Sequence, residues 1–237
     1  MANIILVDYD NLERGDRNKG LVYVTEKIID TVAYKDLNGR NILLRLYGGW
    51  YENNKLSRAA QDLSIEVSAN FPRPILLNDR TNKVIVNIEM AYSLISQPHN
   101  HLFHTFRTRG APTGLHCHDP FSISGCLKTG CPTKEVYNFV KNDICNACNT
   151  ISPSDIFYRR EQKLVDTMLT SDLIHSANTN TVKSNIAIVS SDDDFWPGIL
   201  TALYSGVKIF HIHTKGRRTN PFYLNTANSN YFQKQLQ

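Results

Sequence analysis

The most constraining feature of this chain is a repeated unit: a short, unbroken apolar run suited to a β-strand, followed by a segment of helical periodicity. Residues 4–7, Ile-Ile-Leu-Val, run directly into Asp8. Residues 42–47 (Ile-Leu-Leu-Arg-Leu-Tyr), 186–190 (Ile-Ala-Ile-Val-Ser) and the run from Val207 to Ile212 have the same character. A run without polar alternation is buried on both faces, as in a parallel sheet. Between these runs Val24, Ile28, Ile29 and Val32 recur at helical spacing, as do Leu164, Val165, Met168, Leu169 and Leu173. Phe195, Ile199, Leu200 and Leu203 make a third stripe, closed by Gly206 at the position where a helix often ends. Strands alternating with helices imply βαβ units, a parallel sheet, and ligand chemistry at the carboxyl ends of the strands.

The middle of the chain breaks this rhythm. From about 70 to 155 it carries Phe-Pro-Arg-Pro, Gln-Pro-His-Asn-His, Gly-Ala-Pro-Thr-Gly and all five cysteines. A strand or hairpin is expected around Val84–Ile88 and a helix around Ala91–Ile95. The βα pattern resumes afterwards, so the expected organisation is one α/β domain over 1–69 and 156–237, interrupted by an insertion over 70–155. A chain of 237 residues can bury about seven tenths of its unfolded surface. Its 41% hydrophobic and 20% charged content excludes a disordered acidic tail, a collagen-like fibre and a disulfide miniprotein. No apolar stretch approaches the roughly 18 residues a membrane span requires. Met-Ala-Asn lacks the basic opening of a signal peptide, so a cytoplasmic protein without a membrane partner is expected.

The formal net charge of +4 is too mild to name a partner, but its distribution is uneven. After Asp194 there is no acidic residue, while Lys208, Lys215, Arg217, Arg218 and Lys234 follow. That tail is a candidate phosphate-facing surface, or a solvated basic face.

The acids gather where strands end. Asp8 and Asp10 follow the first run in Val7-Asp8-Tyr9-Asp10-Asn11-Leu12, and Asp192, Asp193 and Asp194 follow the third. Asp166 falls near the start of a predicted helix, where the dipole favours a carboxylate. If both strands are central and parallel, these groups emerge on one edge. Each has an ordinary reading, because Asp-x-Asp-Asn is turn chemistry and an Asp triplet can cap a helix. Their convergence favours a site. Carboxylates so concentrated repel one another unless a cation lies among them, and Mg²⁺ or Mn²⁺ is the usual hard-cation solution. Such ions lower the pKa of an attacking water and hold a scissile phosphate.

These motifs carry a resemblance. Asp8-Tyr9-Asp10-Asn11-Leu12 after a hydrophobic strand resembles the Asp-x-x-Asn opening of the NYN ribonuclease family, a branch of the PIN-like nucleases. Lys163-Leu164-Val165-Asp166 resembles that family's Lys-x-Val-Asp helix, and Ser190-Ser191-Asp192-Asp193-Asp194-Phe195 its Ser-x-Asp-x-Asp-Phe motif. Tyr47-Gly48-Gly49-Trp50-Tyr51 is similar to the aromatic, glycine-rich end of the family's second strand. The motifs occur in family order over roughly 3–65 and 156–213. The resemblance implies a PIN-like (Rossmann-like) parallel sheet flanked by helices, with Asp8, Asp166, Asp192 and Asp194 holding catalytic Mg²⁺ or Mn²⁺. It implies that Asn11 orients a water or phosphate and that Lys163 faces the phosphate or balances the carboxylates. Asp10 and Asp193 have no fixed counterpart, and Asp172 falls further along the helix. The implied activity is a metal-dependent endoribonuclease leaving 5′-phosphate and 3′-hydroxyl ends on single-stranded RNA. A non-catalytic RNA-binding protein of the same fold, or a PIN-like nuclease acting on single-stranded or structured DNA, is the alternative. Nothing in the residues separates RNA from DNA, and a homo-oligomer is compatible with them.

The insertion has its own chemistry. Cys126-Leu-Lys-Thr-Gly-Cys131 and Cys145-Asn-Ala-Cys148 form two knuckles whose four thiolates suit a structural Zn²⁺. Cys117, between His116 and His118, is an alternative ligand. All five cysteines lie in one short segment of a chain expected in a reducing compartment, which favours metal over disulfides. His99, His101, His104, His116 and His118 lie near Arg107 and Arg109, with Phe103, Phe106 and Phe121 close in sequence. Such a stretch offers stacking and phosphate contacts to single-stranded RNA, with Arg107 and Arg109 the favoured contacts. Lys215, Arg217 and Arg218 follow the last predicted strand at the acidic edge and are the stronger phosphate candidates. His211 and His213 alternate along that strand and are expected in the core or at the sheet edge, not as ligands.

Overall fold

The first strand shows why the sheet is central. In β1 (Asn3–Asp8) Ile5 and Val7 enter one apolar cluster while Leu6 enters another, so alternate side chains bury on opposite faces. The computed structural model describes residues 3–110, 116–120, 122, 131–179, 185–216 and 228–236. After β1 come a 3₁₀ turn (Tyr9–Asn11), α1 (Arg14–Arg17), α2 (Leu21–Asp30), β2 (Asn41–Tyr47), β3 (Tyr51–Glu52), β4 (Lys55–Leu56) and α3 (Arg58–Asn70). Then follow β5 (Arg73–Leu76), β6 (Lys83–Met90), β7 (Phe106–Gly110), α4 (Pro132–Asn142), α5 (Pro153–Ile156) and β8 (Tyr158–Gln162). The chain closes with α6 (Val165–Thr179), β9 (Asn185–Val189), a 3₁₀ turn (Asp193–Phe195), α7 (Trp196–Tyr204), β10 (Lys208–His213) and β11 (Tyr231–Gln235).

The protein is an α/β structure built on a seven-stranded sheet of order β11-β10-β9-β1-β2-β6-β5. Every neighbouring pair is parallel except β5 with β6, so the sheet is mixed and not all-parallel as expected. The exception is local: Asp79 Oδ1 accepts the N–H groups of Thr81 and Asn82, folding a tight connection that returns β6 antiparallel to β5. α2 and α3 cover one face with Val24, Ile28, Ile29 and Leu63, and α6 and α7 cover the other with Met168, Leu169, Ile199 and Leu203. Two stripe members lie outside the core, Leu164 at 40% and Leu200 at 46% exposure.

The chain divides into two compact units, Met1–Thr105 with Gln162–Gln237, and Phe106–Glu161. The insertion expected over 70–155 therefore does not lie wholly outside the α/β domain. β5 and β6 belong to the main sheet, because Val84 and Val86 bury alternately against β2. The helix expected at Ala91–Ile95 is an irregular loop. Its backbone is claimed by tertiary partners: Asp172 accepts the Ile95 N–H at 2.8 Å and the buried Arg45 donates to the Ser93 carbonyl. In the second unit β7 pairs with β8, Cys131 immediately precedes α4 with Pro132 in its first turn, and Asp143 ends it in a left-handed conformation. No helix among the described residues is long and apolar enough to cross a membrane.

Candidate metal centre

Parallel pairing levels the strand ends that carry the acids. Asp8 pairs with Tyr47, Val7 with Val189, and Val189 with Ile212, so β2, β1, β9 and β10 finish on one edge. There Asp8 is 5% exposed. Its Oδ2 accepts from Ser190 Oγ at 3.0 Å and its Oδ1 from the Asn11 N–H at 3.3 Å. Ser190 Oγ in turn accepts the Asp192 N–H at 3.0 Å, joining the two acidic turns through one hydroxyl. Asn11 holds a third connection: its Oδ1 accepts the Ser191 N–H at 3.0 Å and the Thr214 hydroxyl at 2.6 Å. The Lys215 N–H donates to Ser191 Oγ at 2.9 Å, which fixes the chain leaving β10 at this edge.

The second acidic element is the start of α6. Leu164 has φ +67°, an uncommon left-handed conformation for a leucine, which turns the chain leaving β8 so that Asp166 falls in the first helical turn. Oxygens of Asp166, Asp192 and Asp194 lie within 4.8 Å of one another, the one such group of three or more Asp, Glu, His or Cys among the described residues. Asp192 caps the 3₁₀ turn, its Oδ1 accepting the Asp194 N–H at 3.0 Å. Close packing of α7 on α6 sets this approach. A Cβ on Gly198 would stand 2.6 Å from Thr170 Cγ2, so only glycine permits the present separation.

The electrostatics are only partly compensated within the chain. Burial pushes the Asp8 carboxyl up to about 7, with Asp166 and Asp10 adding to the rise and the Ser190 and Asn11 hydrogen bonds opposing it. Asp166 is raised by burial first and then by Asp192 and Asp194, with Lys163 pulling it back. Carboxylate oxygens within 4.8 Å of one another are a donor set suited to a hard divalent cation.

Asp8, Asn11, Lys163, Asp166, Asp192, Asp194 and Lys215 thus gather at one edge, with Asp8 joined to the Asp trio through Ser190 and not itself one of the three. Asp10 is placed differently: it pairs with Arg17 at 3.2 Å and accepts the Gly49 N–H at 3.1 Å. A Cβ on Gly48 would meet Trp50 at 2.7 Å and Asp10 at 2.8 Å, which explains the glycine after Tyr47. Asp172 is a core residue bound by Arg45 and Tyr47. The basic tail is not one surface. Lys208 stands at the opposite end of β10 from Lys215, and Lys234 donates to the Thr31 carbonyl at 2.6 Å. Arg217 and Arg218 lie outside the described residues. His211 and His213 are buried in β10, His211 bonding the Ser190 carbonyl through Nε2 at 3.0 Å.

In the second unit Arg107 lies on β7, while the side chain of Arg109 is outside the described residues, as are Cys126 and Phe121. No three Cys or His ligand atoms lie within 4.8 Å among the described residues. The Cys148 thiol is nevertheless lowered to about 7, by the Thr150 hydroxyl and then by the N–H groups of Thr150 and Ile151. Sequence reading passed over Thr214 and Arg17. A hydroxyl directly after a strand that ends at the acidic edge was a usable signal for Thr214; Arg17, seven residues beyond its partner Asp10, carried none.

Comparison of the chain with protein-family models, curated proteins and solved structures finds no match.

Proposed function

We propose that this chain is a PIN-like, NYN-type metal-dependent nuclease that hydrolyses phosphodiester bonds of RNA. The observation that carries the reading is the convergence of Asp166, Asp192 and Asp194 within 4.8 Å at the carboxyl edge of a parallel sheet, with buried Asp8 bridged to them by Ser190. Edges of this kind are where α/β sheets hold their ligands. Asp166, Asp192 and Asp194 would hold the ion, with Asp8 beside them. Mg²⁺ or Mn²⁺ bound there supplies a water of lowered pKa and neutralises charge on the scissile phosphate.

The chain's own residues prepare that chemistry. Ser190 holds Asp8 in place by donating to Oδ2, so the carboxylate faces the edge in a fixed rotamer. Asn11 is committed to Ser191 and Thr214 through its carbonyl oxygen, which leaves its amide N–H groups as the donors suited to a water or phosphate oxygen. Lys163 lowers the cost of ionising Asp166 and adds a cation for the substrate phosphate. No histidine base is required, in keeping with the buried positions of His211 and His213.

The test is cleavage of labelled single-stranded RNA and DNA by the purified protein in Mn²⁺, compared with Asp8→Asn and Asp166→Asn. Cleavage of RNA that both substitutions abolish is the expected result, and cleavage indifferent to both removes the mechanism. Binding without cleavage by the wild type favours an RNA-binding protein of this fold instead. A structural Zn²⁺ on Cys126, Cys131, Cys145 and Cys148 is part of the same reading, and rests on the spacing of the two cysteine pairs. Elemental analysis of protein purified without chelator is expected to give about one zinc per chain; none would dismiss that site.

A further inference from the structure

We propose that Phe103 and His101, backed by Tyr51 and Tyr92, form a stacking platform for one base of a single-stranded nucleic acid bound across the acidic edge. The inference takes its ligand class from the nuclease reading above, and the experiment below separates the two.

The four rings are assembled where strands end. Tyr51 follows β2 and Tyr92 follows β6, both parallel to β1 and finishing at the edge that carries Asp8. The segment 101–105 ties them together. The Leu102 N–H donates to the Tyr92 carbonyl at 2.8 Å, and the Tyr51 N–H donates to the buried Thr105 hydroxyl at 2.8 Å. Side chains are pinned as well: the Tyr51 hydroxyl lies 2.8 Å from His101 Nδ1, and the Tyr92 hydroxyl 2.9 Å from Ser64 Oγ. Tyr51 and Phe103 meet edge to face at 4.9 Å, and Tyr92 stacks with His101 at 5.7 Å and 27°.

Despite this packing Phe103 is 41% exposed and His101 is exposed, while Tyr92 is half-buried and Tyr51 buried beneath them, so the ring surface shown to solvent is that of Phe103 and His101. An aromatic fixed in place yet left uncovered loses little conformational freedom when a flat ligand stacks on it. The location selects the ligand. The Lys163 N–H donates to the Thr105 carbonyl at 3.0 Å. Phe103 is two residues from Thr105, and Asp166 three from Lys163, so platform and trio are separated by at most about 20 Å of chain, within reach of a strand of a few nucleotides. Every base has a π-face, so stacking tolerates sequence, and a base already stacked within a duplex is not available to the platform.

The test uses the full chain and fluorescently labelled oligonucleotides carrying one abasic nucleotide at successive positions. Binding is measured in EDTA and cleavage in Mn²⁺. Phe103→Leu keeps the apolar contacts with Tyr51 but removes the π-face, and Phe103→Trp restores it. The expected result is an affinity for single strands about tenfold weaker in Phe103→Leu and recovered in Phe103→Trp. One abasic position should erase the difference between wild type and Phe103→Leu, on RNA and DNA alike. Equal binding by wild type and Phe103→Leu, or a loss that no abasic position removes, overturns the platform even if cleavage depends on Asp166. Position-dependent loss in a protein that cleaves nothing would support the platform and count against the nuclease reading alone.

Discussion

Two buried carboxylates in this molecule, Asp172 and Asp8, are treated in opposite ways. Asp172 is fully buried, yet every demand it makes is met from within the chain. Its Oδ2 accepts from Tyr47 Oη at 2.7 Å and Arg45 Nε at 3.2 Å, and its Oδ1 from the Ile95 N–H at 2.8 Å. Arg45 is paired again with Glu89 and donates to the Ser93 carbonyl. At the acidic edge, by contrast, Asp8 has one hydroxyl and one backbone N–H, and faces further acids across the edge. A buried charge paired by the fold serves the fold, while one left unpaired among its own kind implies compensation from outside the chain.

The comparison can be broken at its compensated end first. Asp172→Asn should cost about 3–5 kcal/mol in chemical denaturation, because it strips one partner from a buried ion pair. A small loss would show that Glu89 alone satisfies Arg45. At the other end the sign reverses. The Asp8 carboxyl, raised from 3.8 to about 7, binds its proton more tightly in the folded state than in the unfolded chain. In metal-free protein the Asp8 contribution to stability should therefore be fully present below about pH 4 and be lost, by roughly 4 kcal/mol, as pH rises from there through 7. Asp8→Asn should flatten that slope, as read from urea titrations in EDTA across the range, and Mn²⁺ should restore stability at pH 8 to the wild type alone.

Smaller effects sharpen the contrast. Asp166→Asn should reduce cleavage by more than about a hundredfold, beyond the upper range for outer-shell partners of a metal ligand, without loss of thermal stability. A melting temperature that falls with activity would place Asp166 in the same class as Asp172. Gly198→Ala should cost about 1–3 kcal/mol by overpacking α7 against Thr170. It should also weaken Mn²⁺ binding, since it moves the element carrying Asp192 and Asp194 away from Asp166; calorimetric titration with unchanged affinity would show that the trio adjusts independently of the helices.

Much of this was legible along the chain because the signals are local. An apolar run that ends on Asp8, and another that ends on Ser190 and Asp192, announce strand and edge together. The stripe from Val24 to Val32 and the φ of +82° at Gly206 are one-dimensional patterns that the structure retains. Other features were hidden because their causes lie far away in sequence. Ala91–Ile95 has helical periodicity, but Asp172, 77 residues from Ile95, takes its backbone instead. β6 has a strand's alternation, yet nothing in Val84–Ile88 says that it pairs with β2 and so belongs to the main sheet.

The sequence by itself determined which residues are apolar, where runs and stripes begin, and that acids follow strands, since these depend on neighbours within a few positions. Only the tertiary structure decided which acids share an edge. It separated Asp172 from Asp166, six residues away on the same helix, by turning one toward Arg45 and the other toward Asp192 and Asp194. The physical reason is that a carboxylate's role follows from the charge it faces, and that partner is set by packing between elements distant along the chain.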